Sequence, residues 1–279
     1  MLGMGKSKSK RSLADTADKY DLYQRAVQTP AHEVEFFDRA YHDCFGDHPA
    51  SLREDFCGTF AICCRWVESG KDRTAVGVDL CDEALDWGRE NNLSRLKKSQ
   101  RERVELIQDD VRSQSARPVD VVSAQNFSFW IFKTRAEVIE YFRQVYDNLD
   151  DHGVFVMDMM GGSECLEEGQ VEKRHIGGKK KGFRYDWEQA RFDPITHDAT
   201  FVIHFKLRDG SRLRQAFLYE WRFWTLPEVR EMLTEAGFDE VWVYWENEDA
   251  DGEGDGTYDR AVNGTADPAW ICYVVGQKG

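Results

Sequence analysis

No apolar run in this sequence is long enough to span a membrane; the longest are a few residues, and 155–160 has Asp158 inside it. The opening stretch MLGMGKSKSKRS is basic but leads into no apolar segment, so it lacks the make-up of a secretory signal. It reads as a disordered basic tail over residues 1–12. Cys-x-x-Cys pairs are missing. The seven cysteines (Cys44, Cys57, Cys63, Cys64, Cys81, Cys165, Cys272) form an odd set, and Cys63 and Cys64 adjoin in an apolar, helix-like stretch. That pattern favours buried free thiols in a reducing, cytoplasmic compartment over a disulfide framework or a zinc site. Basic charge is in deficit, with 37 Lys and Arg against 51 Asp and Glu and a net charge of −14. A nucleic-acid partner is disfavoured, because polyanions are met by a basic stripe. No segment repeats at a fixed period.

What is present suits a globular chain. Of 279 residues 41% are hydrophobic and 32% charged, enough for one large domain or a domain with a substantial insertion. Residues 15–46 read as two helices broken at Thr29-Pro30, with Val34, Phe36, Phe37, Ala40, Tyr41 and Cys44 at helical spacing. From residue 52 strands and helices alternate. Strands are expected at 52–57, 74–80, 104–107, 120–124 and 154–160, and helices at 59–69, 82–91 and from Thr134 to about Leu149. The last of these opens on the capping box Thr134-Arg135-Ala136-Glu137. Alternation of this kind, with apolar strands, marks a parallel sheet covered by helices on both faces.

The rhythm breaks at Gly161. Phe201, Ile203, Phe205 and Leu207, then Leu213, Phe217, Tyr219, Trp221 and Phe223, alternate with period two around a turn at Arg208-Asp209-Gly210-Ser211. Phe183, Tyr185 and Trp187 add a third strand. Residues 161–224 therefore read as an antiparallel β insertion, too long and too patterned for a loop. A second capping box, Thr225-Leu226-Pro227-Glu228, restarts the core over 225–279, with a helix ending at Ala236-Gly237 and final strands at 241–245 and 270–275. Between those strands lies an acidic, glycine-rich loop, 246–259, read as solvated. Counting from Asp249, Asp251, Glu253 and Gly254 suit a calcium loop, but Arg260 stands where a bidentate glutamate belongs. No metal site is expected.

Ligands of open α/β sheets bind beyond the carboxyl ends of the strands, where strand order reverses. The first strand–turn–helix reads Leu52-Arg53-Glu54-Asp55-Phe56-Cys57-Gly58-Thr59-Phe60, and Gly58 lets the backbone approach a ligand closely. Twenty-one residues on, Asp79 ends the second strand in Gly77-Val78-Asp79-Leu80, where a carboxylate can accept both hydroxyls of a ribose. The third strand ends in Ile107-Gln108-Asp109-Asp110-Val111 and the fourth in Ala124-Gln125-Asn126-Phe127.

These four motifs, in order and at this spacing, resemble the class I S-adenosylmethionine-dependent methyltransferases, and within them the small-molecule enzymes. The resemblance covers residues 20–160 and 225–279. It implies a doubly wound, Rossmann-like, mostly parallel seven-stranded sheet in a methyltransferase core, 13–160 and 225–279, with an N-terminal helical cap. It also implies S-adenosylmethionine as cofactor. By the same resemblance Glu54 sits near the cofactor's methionine amino group, Phe56, Cys57 and Gly58 form the first-motif turn, and Asp79 meets the ribose, with Leu80 beside it in the cofactor site. Asp110 and Val111 lie beside the adenine, Gln125 and Asn126 close the fourth strand, and Tyr20 closes over the cofactor. Two departures stand out: Phe56 and Phe60 replace the outer glycines of the first motif, and Asp55 replaces an apolar residue. Rings at the turn are expected to narrow the cofactor cleft or to lie against it.

Methyl transfer from a sulfonium is an in-line displacement, so alignment and exclusion of water are the main tasks and no catalytic signature is obligatory. The Asn/Asp-Pro-Pro-aromatic motif of enzymes acting on planar exocyclic amines is absent; Gln125-Asn126-Phe127-Ser128 stands there instead. Acceptor contacts are expected from Asn126, Ser128, His204, Tyr219, Glu220 and Trp221, with the β insertion as roof of a closed cavity for a small-molecule methyl acceptor, N or O. Lys179-Lys180-Lys181 in that insertion suits an anionic group or no ligand at all. Two other classes remain: an RNA or protein methyltransferase, and a non-catalytic module on a degenerate cofactor site.

Overall fold

The structure, a computed structural model, describes residues 11–114, 117–178, 181–250, 252 and 254–279. Most of the basic tail, Lys179 and Lys180 of the lysine run, and Asp251 and Glu253 of the acidic loop lie outside the described residues.

Local sequence sets the helix boundaries. Helix α1 (Lys19–Val27) starts where Asp18 accepts the N–H groups of Tyr20 and Asp21. Helix α2 (Pro30–Phe45) opens on proline and stops at Gly46, whose φ of 72° few other residues adopt. Helices α3 (Ala61–Ser69), α4 (Asp82–Asn91) and the short α5 (Lys98–Arg101) follow strands β1 (Ser51–Asp55) and β2 (Thr74–Asp79). Strands β3 (Val104–Gln108) and β4 (Val119–Ala124) precede α6 (Arg135–Asn148), and β5 (Leu149–Gly161) follows it. Strands β6 (Gln170–Ile176), β7 (Phe183–Phe192), β8 (Asp198–Lys206) and β9 (Arg212–Arg222) come next. Helix α7 (Leu226–Ala236), β10 (Glu240–Glu248), β11 (Gly254–Arg260) and β12 (Trp270–Lys278) complete the chain. Thr134 and Thr225 form the expected reciprocal caps with Glu137 and Glu228.

The main sheet runs β11-β10-β12-β5-β4-β1-β2-β3, parallel from β3 to β5. Strand β12 is antiparallel to both of its neighbours. Strand order reverses between β1 and β4, which puts the ligand crevice above their carboxyl ends. The sheet has eight strands where seven are expected, because 254–260 of the acidic loop is a strand paired with β10. Of β11 only Tyr258 is buried and the rest is exposed, so this polar edge strand carries no alternation for a sequence reading to find.

Strands β6 to β9 form a separate antiparallel sheet of four. Its first strand was not foreseen: six of its seven residues are exposed, so burial left no period in the sequence. Apolar clusters cover both faces of the main sheet, one around Phe142, Phe155 and Trp224, the other around Phe37, Trp66 and Leu85. A third cluster packs Leu22 and Ala26 of α1 on Phe183, Tyr185, Ile203 and Phe205 of the small sheet. Each such aromatic or branched side chain contributes on the order of 2 kcal/mol, so α1 holds the small sheet over the crevice edge of the core. Among the described residues no helix is long and apolar enough to cross a membrane.

Candidate functional site

The turn between β1 and α3 keeps a glycine-like path without the glycines. Phe56, Gly58 and Phe60 all have left-handed φ, at 55°, 51° and 44°. For a phenylalanine this costs roughly 1–2 kcal/mol, and burial offsets it. Phe60 is fully buried, its ring beneath Gly88 of α4. Phe56 packs its ring on Tyr141 and Phe132, with centroids 5.7 and 6.1 Å away. The Phe60 ring thus turns into the core, while Phe56 packs against it and stays half-buried. The Cys57 side chain is buried against Gly77, while its N–H donates to the Val78 carbonyl at 3.1 Å. Nothing lies within 4 Å of where a Cβ on Gly58 would point, so this side of the turn is open.

Asp79 joins the turn to β2. One carboxylate oxygen accepts the Gly58 N–H at 2.7 Å and the other the Cys81 N–H at 2.8 Å. Beside it Leu80 is 66% exposed, an apolar surface next to an acidic one. Tyr20 arrives from α1, its hydroxyl 4.0 Å from the Cys81 sulfur and its ring between Trp87 and Phe217.

Three expected cofactor contacts are engaged elsewhere. Glu54 is buried and accepts the Cys63 N–H in the first turn of α3 at 2.9 Å. Burial pushes its carboxyl up to about 7. Asp110 pairs with Arg112 at 2.7 and 2.9 Å, and that guanidinium holds its carboxyl below the usual range. Val111 is buried, and its carbonyl accepts from Arg53 at 2.7 Å. Arg53 also donates to Asp55 at 2.7 Å and to the Ser113 carbonyl at 3.0 Å, and the Tyr141 hydroxyl donates to Asp55 at 3.0 Å. Asp55 is thus the counter-charge of a buried arginine that pins the segment after β3, which accounts for an acid at an apolar position.

At the end of β4, Gln125 donates to the Val156 carbonyl at 3.0 Å. The next two residues, Asn126 and Phe127, are left-handed at φ 59° and 56°. Both of their N–H groups point at Asp158 of β5, one to each carboxylate oxygen at 3.0 Å. Two successive non-glycine residues in this conformation store strain, which is characteristic of functional turns. Burial raises Asp158 to about 6, against the lowering effect of those two amides.

A cavity of about 870 Å³ adjoins this turn, bounded by α2, the ends of β5 and β12, and the inner face of the small sheet. Asn126, Phe127 and Asp158 form its floor, and Trp187, Tyr219 and Trp221 its roof. Tyr219 and Trp221 stack with centroids 4.4 Å apart. Gly58, Asp79 and Leu80 lie outside it. Of the expected acceptor contacts, Asn126, Tyr219 and Trp221 line the cavity. His204 does not: it sits on the other face of β8, bonded to Glu188 at 2.9 Å and to the Gln215 N–H at 3.0 Å, because successive strand residues point to opposite faces. Glu220, between Tyr219 and Trp221, is likewise outside it. Ser128 closes its own turn on the Gln125 carbonyl at 2.7 Å and is also absent from the lining.

Glu33 and Asp158, both in the lining, were missed by sequence reasoning. Asp158 carried a signal, an ionisable residue inside an apolar strand. Glu33 carried none, because on α2 it reads as an ordinary polar position.

No family model and no curated protein matches the chain. Solved structures do. CalS10, an amino pentose methyltransferase from Micromonospora echinaspora with S-adenosylmethionine bound, aligns over 93% of this chain and 96% of its own, at 16% identity and a TM-score of 0.66. An S-adenosylmethionine-dependent methyltransferase from Clostridium acetobutylicum aligns over 93% and 98%, at 17% identity and 0.63. KedS8, a sugar N-methyltransferase from Streptoalloteichus sp, aligns over 100% and 98%, at 18% identity and 0.63. The chain has the fold of the class I S-adenosylmethionine-dependent methyltransferases, with an added antiparallel sheet at the carboxyl edge of its core.

Proposed function

We propose that this protein transfers a methyl group from S-adenosylmethionine to a nitrogen or oxygen of a small molecule held in the aromatic cavity. One observation carries the reading: the strained Asn126–Phe127 turn lies at the switch-point crevice and also forms the floor of the cavity. A cofactor over β1 and β2 and an acceptor in the cavity would meet across this turn. The residues present fit the cofactor. The open side of Gly58 admits close approach, Asp79 keeps a free lone pair on each oxygen for ribose hydroxyls, and exposed Leu80 offers a face for the base. Tyr20 on α1 stands where it can close the crevice.

Bound there, S-adenosylmethionine supplies an activated methyl on a sulfonium. The chain's own contribution is geometric. Asp158 fixes Asn126 and Phe127, the small sheet and α1 exclude water, and the stacked rings orient the acceptor for in-line attack. No base is required for the transfer itself, only for removing a proton from an acceptor that carries one. A small-molecule acceptor fits the enclosed shape better than RNA or a protein chain, and the net charge of −14 also disfavours RNA. The seven free cysteines suit a reducing, cytoplasmic setting.

Calorimetric titration with S-adenosylhomocysteine tests the reading. Binding at micromolar strength is expected, and absence of binding to the folded protein would leave a non-catalytic module on an enzyme fold.

A further inference from the structure

The ionisable lining of the acceptor cavity is mostly acidic among the described residues. Among the described residues Glu33, Asp158, Glu164, Glu172 and Glu246 line it, with Arg174 as the one guanidinium. That guanidinium is held by Glu172 at 3.0 Å. Two of the carboxylates belong to its inner end. Asp158 is fixed by the amides of Asn126 and Phe127. Glu33, in the first turns of α2, accepts a hydrogen bond from the Tyr273 hydroxyl at 3.0 Å. Tyr273 and Asp158 are directly paired across β12 and β5, so their side chains share a face of the sheet and bring Glu33 over the floor of the cavity. Aromatic rings supply the opposite wall, and their faces attract cations.

Resting on the reading of this cavity as the acceptor site, we propose that Glu33, set by Tyr273 and backed by Asp158, makes the enzyme selective for an amine acceptor and takes the proton that the amine must lose. The positive charge of an ammonium entering the cavity favours the ionised form of Glu33, so the ammonium meets a carboxylate. One proton moves from nitrogen to the Glu33 oxygen, giving a neutral amine and a carboxylic acid. The freed lone pair forms the N–C bond as the methyl's bond to sulfur breaks, with that electron pair staying on sulfur. The product leaves as a methylated ammonium, and the Glu33 proton passes to water at the cavity mouth. Burial and the neighbouring Asp158 raise Glu33 to about 8, which brings its basicity toward that of an amine and makes the exchange nearly balanced. An alcohol brings neither the positive charge nor an exchangeable proton in this range.

The test is titration of the full-length protein, with and without S-adenosylhomocysteine, using benzylamine and its neutral isostere benzyl alcohol, followed by tryptophan fluorescence and calorimetry. Benzylamine should saturate and bind at least about tenfold tighter than the alcohol, about 1.4 kcal/mol. Glu33→Gln should erase that preference. In buffers of different ionisation enthalpy, the wild type should show a net proton exchange on benzylamine binding that the variant lacks. Equal binding of the two probes, no saturable binding of either, or a Glu33→Gln variant that keeps the preference would overturn the proposal. Should that variant fail to fold, Tyr273→Phe frees the carboxylate from its hydroxyl and should lower the preference at least about threefold, about 0.7 kcal/mol; an unchanged preference would count against the proposal. Amine preference without S-adenosylhomocysteine binding would refute the methyltransferase reading and leave the cavity assignment standing, and the converse result would do the opposite.

Discussion

The Asp79 carboxylate accepts the backbone N–H of Gly58 at 2.7 Å, and through it the second strand holds the turn that ends the first. The same carboxylate accepts from Cys81, so its orientation is fixed before any ligand arrives. Asp79→Ala removes the anchor and, on the proposed reading, the ribose acceptor. We expect S-adenosylhomocysteine affinity to fall at least about thirtyfold, about 2 kcal/mol, by calorimetry. A variant that binds as tightly as the parent would show that the ribose lies elsewhere.

Phe60 and Gly88 form a second support of that turn. A Cβ on Gly88 would lie 2.4 Å from the Phe60 ring and 2.6 Å from the Thr59 carbonyl, so Gly88→Ala must push the turn aside. A stability loss of about 1–3 kcal/mol is expected in urea unfolding, together with weaker S-adenosylhomocysteine binding. Phe60→Gly separates two opposing effects. Relief of the left-handed φ returns about 1 kcal/mol, while emptying a fully buried site costs about 3–5. Net destabilisation follows, and a stabilised variant would mean that the backbone strain outweighs the packing.

Asp158→Asn keeps one acceptor oxygen but turns an NH2 toward the other backbone amide, donor against donor. Stability should drop by about 1–3 kcal/mol. Because the Asn126–Phe127 turn loses its register with the cavity, kcat/KM for an amine acceptor should fall at least about tenfold, a loss of about 1.4 kcal/mol in transition-state stabilisation. Unfolding curves and a methyl-transfer assay check the two effects separately.

Stability should decline as pH rises from about 4.5 to about 7, and the sign follows from Glu54. Its carboxyl is raised from the ordinary 4.5 to about 7 by burial, so in this window the folded chain holds a proton that the unfolded chain has released. Stability is therefore fully present below the unfolded value and is lost as pH climbs through the folded one, with a slope of about 1 kcal/mol per pH unit. Asp158 at about 6 and Glu33 at about 8, both raised by burial, act in the same direction. Glu33 is faced by Asp158 from β5, Tyr273 from β12 and Tyr258 from β11, with Glu54 of β1 also adding to its shift. Below about pH 4.5 the trend reverses, as carboxyls held low by their partners, such as Asp110 by Arg112, become protonated. Chemical denaturation across this range checks the slope; stability rising between pH 5 and 7, about the middle of the window, would place Glu54 in contact with water.

The sequence by itself determined whatever depends on neighbours along the chain. Capping boxes at Thr134 and Thr225, the break at Thr29-Pro30 and the Asp209-Gly210 turn are local contests between backbone and side chain, so the helices and the long hairpin were legible. So was the order of the motifs, which put Gly58, Asp79 and Asn126 at or just after the carboxyl ends of β1, β2 and β4. What the chain could not declare was set by contacts between distant residues. Strands β6 and β11 have mostly exposed residues and so no apolar period. Whether Phe56 and Phe60 faced ligand or core depended on Tyr141 and Gly88, and Asp110 was claimed by Arg112. His204 and Tyr219, both in the small sheet, were separated only by which face the sheet turns to the core. Only the tertiary structure brought Glu33 from α2 to Tyr273 and Asp158, because a carboxylate's role is fixed by the burial and the partners it meets, and here those lie more than a hundred residues away along the chain.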